Sequence, residues 1–307
     1  VVSDARPAIE RARVARLFDR IGAVPSFIDR EVAQRMAERL DYIRIDAARV
    51  LDAGCGAGAD LPMLAARFAG SLVLGVDRAS GPLRAQARAA SSAVGGSGVA
   101  RWVARKLGRT GAAPALVCAD FQRLPLARAS LDVIWSNLAL HWDDAPHRTL
   151  IDWGRVLRDE GLVMFSAFGP DTLAEVRRAF AAVDARDHSV SFTDMHDYGD
   201  MLVAAGFAAP VVDMEQITLT YSDSAALWRD VRALGGNPLE ARQRGLYGRG
   251  AAHRLAEALE AQRASDGSLR LTFEVIYGHA WKGVPRVRAD GRAVVSLEQL
   301  KSGRAAG

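Results

Sequence analysis

Val50–Gly58 reads VLDAGCGAG, an apolar run that ends in three glycines and is followed by a helix-like stretch, Asp60 to Phe68. Val50 and Leu51 suit the end of a buried parallel strand. Gly54, Gly56 and Gly58 supply a turn in which positive φ is allowed and no Cβ keeps a ligand from the backbone. A glycine-rich strand-to-helix turn of this kind serves several nucleotide-containing cofactors. Two details narrow the choice. Asp52 stands two residues before the first glycine, where a dinucleotide fingerprint has an apolar residue, and Cys55 and Ala57 break the GxGxxG frame. A carboxylate there repels a pyrophosphate and suits a cationic amino-acid group. The expected ligand is therefore S-adenosyl-L-methionine, with Asp52, Gly54, Cys55, Gly56 and Gly58 at its binding site. A nicotinamide oxidoreductase fails on Asp52 and on the lack of a hydride-transfer constellation.

The 307 residues are 50% hydrophobic and 25% charged, the balance of an ordinary soluble domain with room for a cap. Two cysteines, Cys55 and Cys118, are too few for a disulfide framework or a metal cluster, so no metal is expected. No run of 18 apolar residues occurs, and the N-terminal stretch lacks the regions of a signal peptide. No membrane association is expected, and the location expected is cytoplasmic. Net charge is +4, and lysine occurs only at Lys106, Lys282 and Lys301, so arginine supplies the other basic residues. A mild positive field of this kind does not signal nucleic acid, but it does attract an acidic protein.

Organisation follows from periodicity. Ala8 to Leu40 is amphipathic and broken near Gly22 to Pro25, which predicts helices over the cofactor opening or beside the sheet. Strands are expected at 49–53, 72–76, 115–119, 131–136 and 161–168, with helices near 60–69, 81–91 and 146–158. Such alternation implies right-handed crossovers and a doubly wound α/β sheet covered on both faces. Ser91 to Pro114 is a long Gly-, Ser- and Arg-rich connection, expected at the surface. Beyond Phe168, helices are expected at Asp171 to Val183 and Thr193 to Ala205, and a strand at Pro210 to Tyr221. A helical stretch, Ser222 to Ala261, is interrupted at Gly235 to Pro238, and Leu269 to Trp281 is the final strand. The whole predicts a seven-stranded, mostly parallel sheet with its last pair antiparallel and helical cap insertions. The boundaries are residues 1–48 for an N-terminal helical lid, 49–168 for the cofactor-binding core, 169–285 for caps and last strands, and 286–307 for a flexible tail.

Ligands of open α/β sheets lie beyond the carboxyl ends of the strands. Asp77, ending LVLGVD and followed by Arg78, is placed to accept ribose hydroxyls. Asp120 and Phe121, after ALVC, offer a carboxylate for the adenine amine and an aromatic neighbour. Asn137, ending LDVIWSN, leads through Leu138, Ala139, Leu140 and His141 to Trp142 on the floor of the same cleft.

Residues 49–168 resemble a Rossmann-like class I S-adenosylmethionine-dependent methyltransferase core. LDAGCGAG is the first motif, GVD the second, and LVCADFQRLPLARASLDVIWSNLALHW spans the third and fourth strands. Farther on, FSAFGPDTLAEVRRAF, FTDMHDYGDMLVAAGF, PVVDMEQITLTY, LGGNP and LTFEVIYGHAWK resemble the malonyl-[acyl-carrier protein] O-methyltransferase family, which starts pimeloyl synthesis for biotin. The stretch LFDRIGAVPSFIDREVAQRM resembles the family's N-terminal segment but is short. After its Phe18-Asp19 it lacks the Tyr-Asp pair expected to close over the cofactor, so the lid residues before position 49 stay open.

The resemblance implies methyl transfer to the free carboxylate of a malonyl thioester, with malonyl-acyl-carrier protein as partner. A carboxylate is ionised near neutral pH and needs no general base, in keeping with the lack of a Cys-His or Ser-His-Asp arrangement. The malonyl carboxylate calls for a cation, and arginine is its natural fork. Arg177 and Arg178 are the candidates, with His188 and Lys282 behind them. His141, beside Trp142, is expected to wall the cleft and help position the substrate. An acidic carrier protein calls for a basic docking surface, supplied either by Arg101, Arg105, Lys106 and Arg109 or by the Arg242 to Arg254 group. Two other readings remain. One is a methyltransferase for a small free carboxylic acid; the other is an arginine hydroxylase-like assembly factor of respiratory complex I, similar in its SNLALHW segment.

Overall fold

A computed structural model describes residues 8–21, 24–93, 115–242, 245 and 248–284, with the side chains of 89–93 outside the description. Two helices, α1 (Arg11–Ile21) and α2 (Phe27–Leu40), precede β1 (Arg49–Ala53). Then follow α3 (Leu61–Arg67), β2 (Leu72–Asp77), α4 (Ser80–Ala93), β3 (Ala115–Cys118), β4 (Leu131–Ser136), α5 (Pro146–Val156) and β5 (Leu157–Phe168). The remainder is α6 (Ala174–Ala181), α7 (Met195–Ala204), β6 (Phe207–Tyr221), α8 (Ser224–Ala233), α9 (Arg249–Glu260) and β7 (Leu269–Lys282). The strands form one seven-stranded sheet in the order β3-β2-β1-β4-β5-β7-β6. Strands β1 to β5 are mutually parallel, and β7 runs antiparallel to both β5 and β6. This is the expected doubly wound α/β architecture.

The central strands are apolar on both faces, so both faces must be covered. Every residue of β4, LDVIWS, is buried. Alternation sends Val50, Val133, Leu162 and Met164 to one face, where they meet Met36 and Leu40 of α2 and Leu61 and Leu64 of α3. Their neighbours Leu51, Ile134, Val163 and Phe165 meet Leu150 and Trp153 of α5 and Tyr198 and Leu202 of α7 on the other. Helix α2 starts where Ser26 and Asp29 form a reciprocal capping box. At the foot of the sheet, Asp132 is 4% exposed; its Oδ2 accepts from the N–H groups of Ala48 and Arg49 at 2.8 and 2.7 Å. The same carboxylate pairs with Arg158, so one side chain pins β1 to β4 and β5.

The β6–β7 ribbon is longer than the sheet it joins. β7 pairs with β5 only from Val275 to Trp281, so Leu269 to Glu274 project beyond β5. On this overhang Glu175 of α6 accepts from Thr272 N at 3.0 Å and Thr272 Oγ1 at 2.8 Å. The expected helical stretch Ser222 to Ala261 becomes α8 and α9, parted around the expected Gly235 to Pro238 break. Ser91 to Pro114 lies outside the described side chains, as does the 286–307 tail. No helix among the described residues is long and apolar enough to cross a membrane.

Candidate active site

The sheet order reverses between β1 and β4, and a cavity lies beyond the carboxyl ends of these strands, as the topology requires. Its floor is the glycine turn. Gly54, Gly56 and Gly58 have φ of 81°, 52° and 72°, the left-handed region that other residues avoid. The N–H groups of Gly54 and Cys55 both donate to Val76 O, at 2.8 and 3.0 Å, holding the turn against β2. A Cβ on Gly54 would lie 2.3 Å from Ala139 Cβ, so glycine alone lets the turn approach the segment after β4.

Asp77, at the end of β2, accepts from Gly56 N at 2.8 Å and Ala79 N at 2.7 Å, locking turn and strand end together. Burial raises its pKa, and these N–H groups oppose the rise. Asp52 is 2% exposed, and among the described residues no donor reaches its carboxylate. Burial is the main cause of its strongly raised pKa, followed by the charges of Asp60 and Asp77. Asp60 is raised by burial too, against hydrogen bonds from Trp135 Nε1 at 2.9 Å and from Asn137. Burial likewise pushes the Cys55 thiol up, so it stays protonated and is no nucleophile.

The opposite wall comes from the later strands. Asn137 donates from Nδ2 to Asp29 O at 3.0 Å and accepts from Ser166 Oγ at 2.8 Å; Leu138 follows with φ 48°. Asp120 caps its own turn through Gln122 N and faces Arg78 Nη2 at 3.5 Å. Phe121 is held by Trp153, whose Nε1 donates to Phe121 O at 2.9 Å. Trp142 meets Phe18 of α1 edge-on, ring centroids 5.3 Å apart.

Asp52, Gly54, Cys55, Gly56, Asp77, Arg78, Asp120, Phe121, Asn137, Leu138 and Trp142 are thus brought to one cavity. Three expectations differ. Gly58 stands outside the lining: a Cβ there would lie 2.6 Å from Leu61 Cδ1, so it shapes the entry into α3. His141 also stands outside, packed on Trp142, Phe168 and Phe192, with Nδ1 accepting from Phe168 N at 3.4 Å. Burial lowers its pKa to about 3, so it is a neutral wall with no free acceptor for a substrate. Arg177 lies in a separate recess with His188, its guanidinium bonded to the carbonyls of Pro170 and Thr172. The loop entering α6 consumes the fork that was expected to hold the acceptor.

Helices of the 1–48 segment were expected over the cofactor opening or beside the sheet, but none of their residues was named as lining it. Val14, Ala15 and Phe18 of α1, with Asp29 and Arg30 of α2, line the cavity. Helix α1 is tied down by Glu10 to Arg242 at 2.7 Å, by Arg13 Nε to Asn237 O at 2.9 Å and by Gly81 N to Asp19 Oδ1 at 2.7 Å. The 3-4 spacing of Val14, Ala15 and Phe18 was the available signal; it marks a buried face without saying what lies opposite.

Such a donor set fits S-adenosylmethionine. A buried, unpartnered Asp52 with two further carboxylates answers a cationic amino-acid group, and the glycine turn exposes backbone to it. Fold, cavity and donor chemistry together define the class of S-adenosylmethionine-dependent methyltransferases. Residues 51–165 match the model of the methyltransferase domain family. The chain is 46% identical over 295 residues to a malonyl-[acyl-carrier protein] O-methyltransferase of Laribacter hongkongensis, covering 94% of this chain and 96% of that one. A protein of the same description from Methylovorus sp. is 44% identical, covering 96% and 97%. Among solved structures, the YcgJ protein of Bacillus subtilis shares the fold, with TM-score 0.53 and 13% identity over 82% of this chain and 99% of that one. The chain belongs to the malonyl-[acyl-carrier protein] O-methyltransferase family.

Proposed function

We propose that this chain methylates the free carboxylate of a malonyl thioester borne on acyl-carrier protein, giving the methyl ester that starts pimeloyl synthesis. The observation that carries the reading is end-to-end similarity to relatives of that description, joined to a cavity whose buried carboxylates suit a sulfonium cofactor. When bound, the cofactor supplies a methyl group on a positively charged sulfur, open to in-line displacement. The Gly54–Gly56 backbone and Asp52 would hold its amino-acid end, Asp77 its ribose, and Asp120 and Phe121 its adenine.

The protein's remaining task is to bring an already ionised oxygen to that methyl group and exclude water. No residue has to remove a proton, which agrees with a neutral, walled-in His141 and a protonated Cys55. The residues before position 49 act as the lid: α1 walls the cavity with Val14, Ala15 and Phe18. Arg11 and Arg30 reach the same lining, and Arg30 uses Nη1 on Pro25 O at 2.9 Å, leaving other N–H groups for the acceptor's carboxylate. Methylation cancels the negative charge of the malonyl end, letting apolar chain-elongating sites accept it.

The test is transfer of labelled methyl from S-adenosylmethionine to malonyl-acyl-carrier protein, malonyl-coenzyme A and free malonate in parallel. Base-labile label, formed fastest on the carrier protein, is expected. Label on free malonate at an equal or greater rate would make the acceptor a small acid. Cofactor binding without label on any of the three would exclude the malonyl acceptor.

A further inference from the structure

Beside the cavity, and sharing Arg11 and Gln122 with it, a groove runs between α5, the segment after β3 and the end of β7. Six cations line it, Arg11, Arg123, Arg128, Arg148, Arg155 and Lys282, against two carboxylates. Neither carboxylate neutralises the surface. Asp152 is spent on Arg155, at 2.8 Å. Asp143 is 3% exposed, accepts from Thr149 Oγ1 and Ala145 N, and is raised in pKa chiefly by burial. Among the described residues, Arg123, Arg128, Arg148 and Lys282 have no ion-pair partner, and the three arginines are exposed. In their midst Ile151 of α5 is 55% exposed, an apolar side chain ringed by unpaired positive charge.

Surface arginines left unpaired on one face are a steering field for an acidic partner, and an exposed apolar side chain at the centre supplies the contact that steering alone lacks. Resting on the acceptor reading above, we propose that this groove is the docking surface for the acidic carrier protein. The carrier's carboxylate-bearing face lies along α5 over Ile151, and its tethered thioester passes Arg11 and Gln122 into the cavity. Of the two surfaces considered from sequence, Arg101, Arg105, Lys106 and Arg109 lie outside the described residues; in the other, Arg242 is 11% exposed in its side chain and committed to Glu10, while Arg249 and Arg254 are exposed.

The test uses three residues that line the groove and not the cavity. The full-length Arg123→Glu/Arg128→Glu/Arg148→Glu variant is expected to raise KM for malonyl-acyl-carrier protein by about tenfold or more, with kcat within about twofold. The rise of KM with salt should flatten in it. Unchanged S-adenosylmethionine affinity would show that the variant is folded, and the corresponding triple Lys variant should keep KM within about threefold, since charge is retained. A wild-type KM and salt dependence in the charge-reversal variant would overturn the groove while leaving the acceptor intact. An equal rise of KM in the Lys variant would overturn it too, because positive charge would not be what docks the carrier. Failure of the wild-type enzyme to methylate the malonyl carrier would remove the acceptor reading on which the groove rests.

Discussion

Asp77 and Asp52 divide the work of the cavity. Asp77 fixes the glycine turn through Gly56 N and Ala79 N, so Asp77→Ala loosens the turn and removes a cofactor acceptor together. Its S-adenosylmethionine affinity should fall by about tenfold or more, read by isothermal calorimetry. Asp52 carries a burial penalty that only a cationic ligand relieves. A carboxyl whose pKa is raised on folding gives stability at low pH that is lost as pH rises from the unfolded value through the folded one. The free enzyme should therefore lose stability as pH climbs from about 4 toward neutrality, and added cofactor should restore it. Asp52→Asn should raise the melting temperature of the free enzyme at pH 7 while weakening cofactor binding; a lower melting temperature would show the charge is already compensated. His141 has the opposite sign. With its pKa lowered to about 3, its contribution is complete above its unfolded pKa and declines as pH falls toward the folded one. Unfolding at pH 5 should take up about one proton fewer in His141→Gln than in the wild type. The carboxylates at the strand ends were legible because each follows an apolar run that fixes where its strand stops. Asp60 was read only as a helix start, and nothing local to it signals a carboxylate turned back to Trp135 and Asn137.

The strands could be read because β4 and β5 are apolar on both faces and β6 alternates, patterns that only a covered parallel core and an outer strand satisfy. Helix faces were less informative. The Arg177-Arg178 pair marks the basic side of α6, but the loop Pro170 to Leu173 takes up the Arg177 fork, a tertiary fact absent from helical spacing. Which residues of the N-terminal helices line the cavity was also beyond reach, because α1 gains its position from Glu10–Arg242 and Arg13–Asn237, contacts across more than 200 residues. At this scale Asp132 gives the clearest stability prediction. Asp132→Ala leaves two strand N–H groups and Arg158 without their acceptor and should cost about 3 to 5 kcal/mol in denaturant unfolding. A cost below about 1 kcal/mol would mean β1 and β4 are held by packing alone.

Across the molecule, the sheet supplies a rigid floor at its switch point, the N-terminal helices a wall over it, and the β6–β7 overhang a platform for the caps. The charge distribution follows the same plan, with buried carboxylates inside the cavity and unpaired arginines beside its mouth. Residues 51–165 match a domain shared by many methyltransferases, whereas the near-complete alignment with the family's members includes the caps and the β6–β7 ribbon. Substrate choice should therefore reside outside the core. The most direct measurement of the account is single-turnover transfer of labelled methyl to malonyl-acyl-carrier protein by the wild type and Asp77→Ala together. The account predicts base-labile label from both, slowed in the variant at limiting cofactor and recovered at saturating cofactor. Label that survives base, or a variant as fast as the wild type at limiting cofactor, would contradict carboxyl methylation at this cavity.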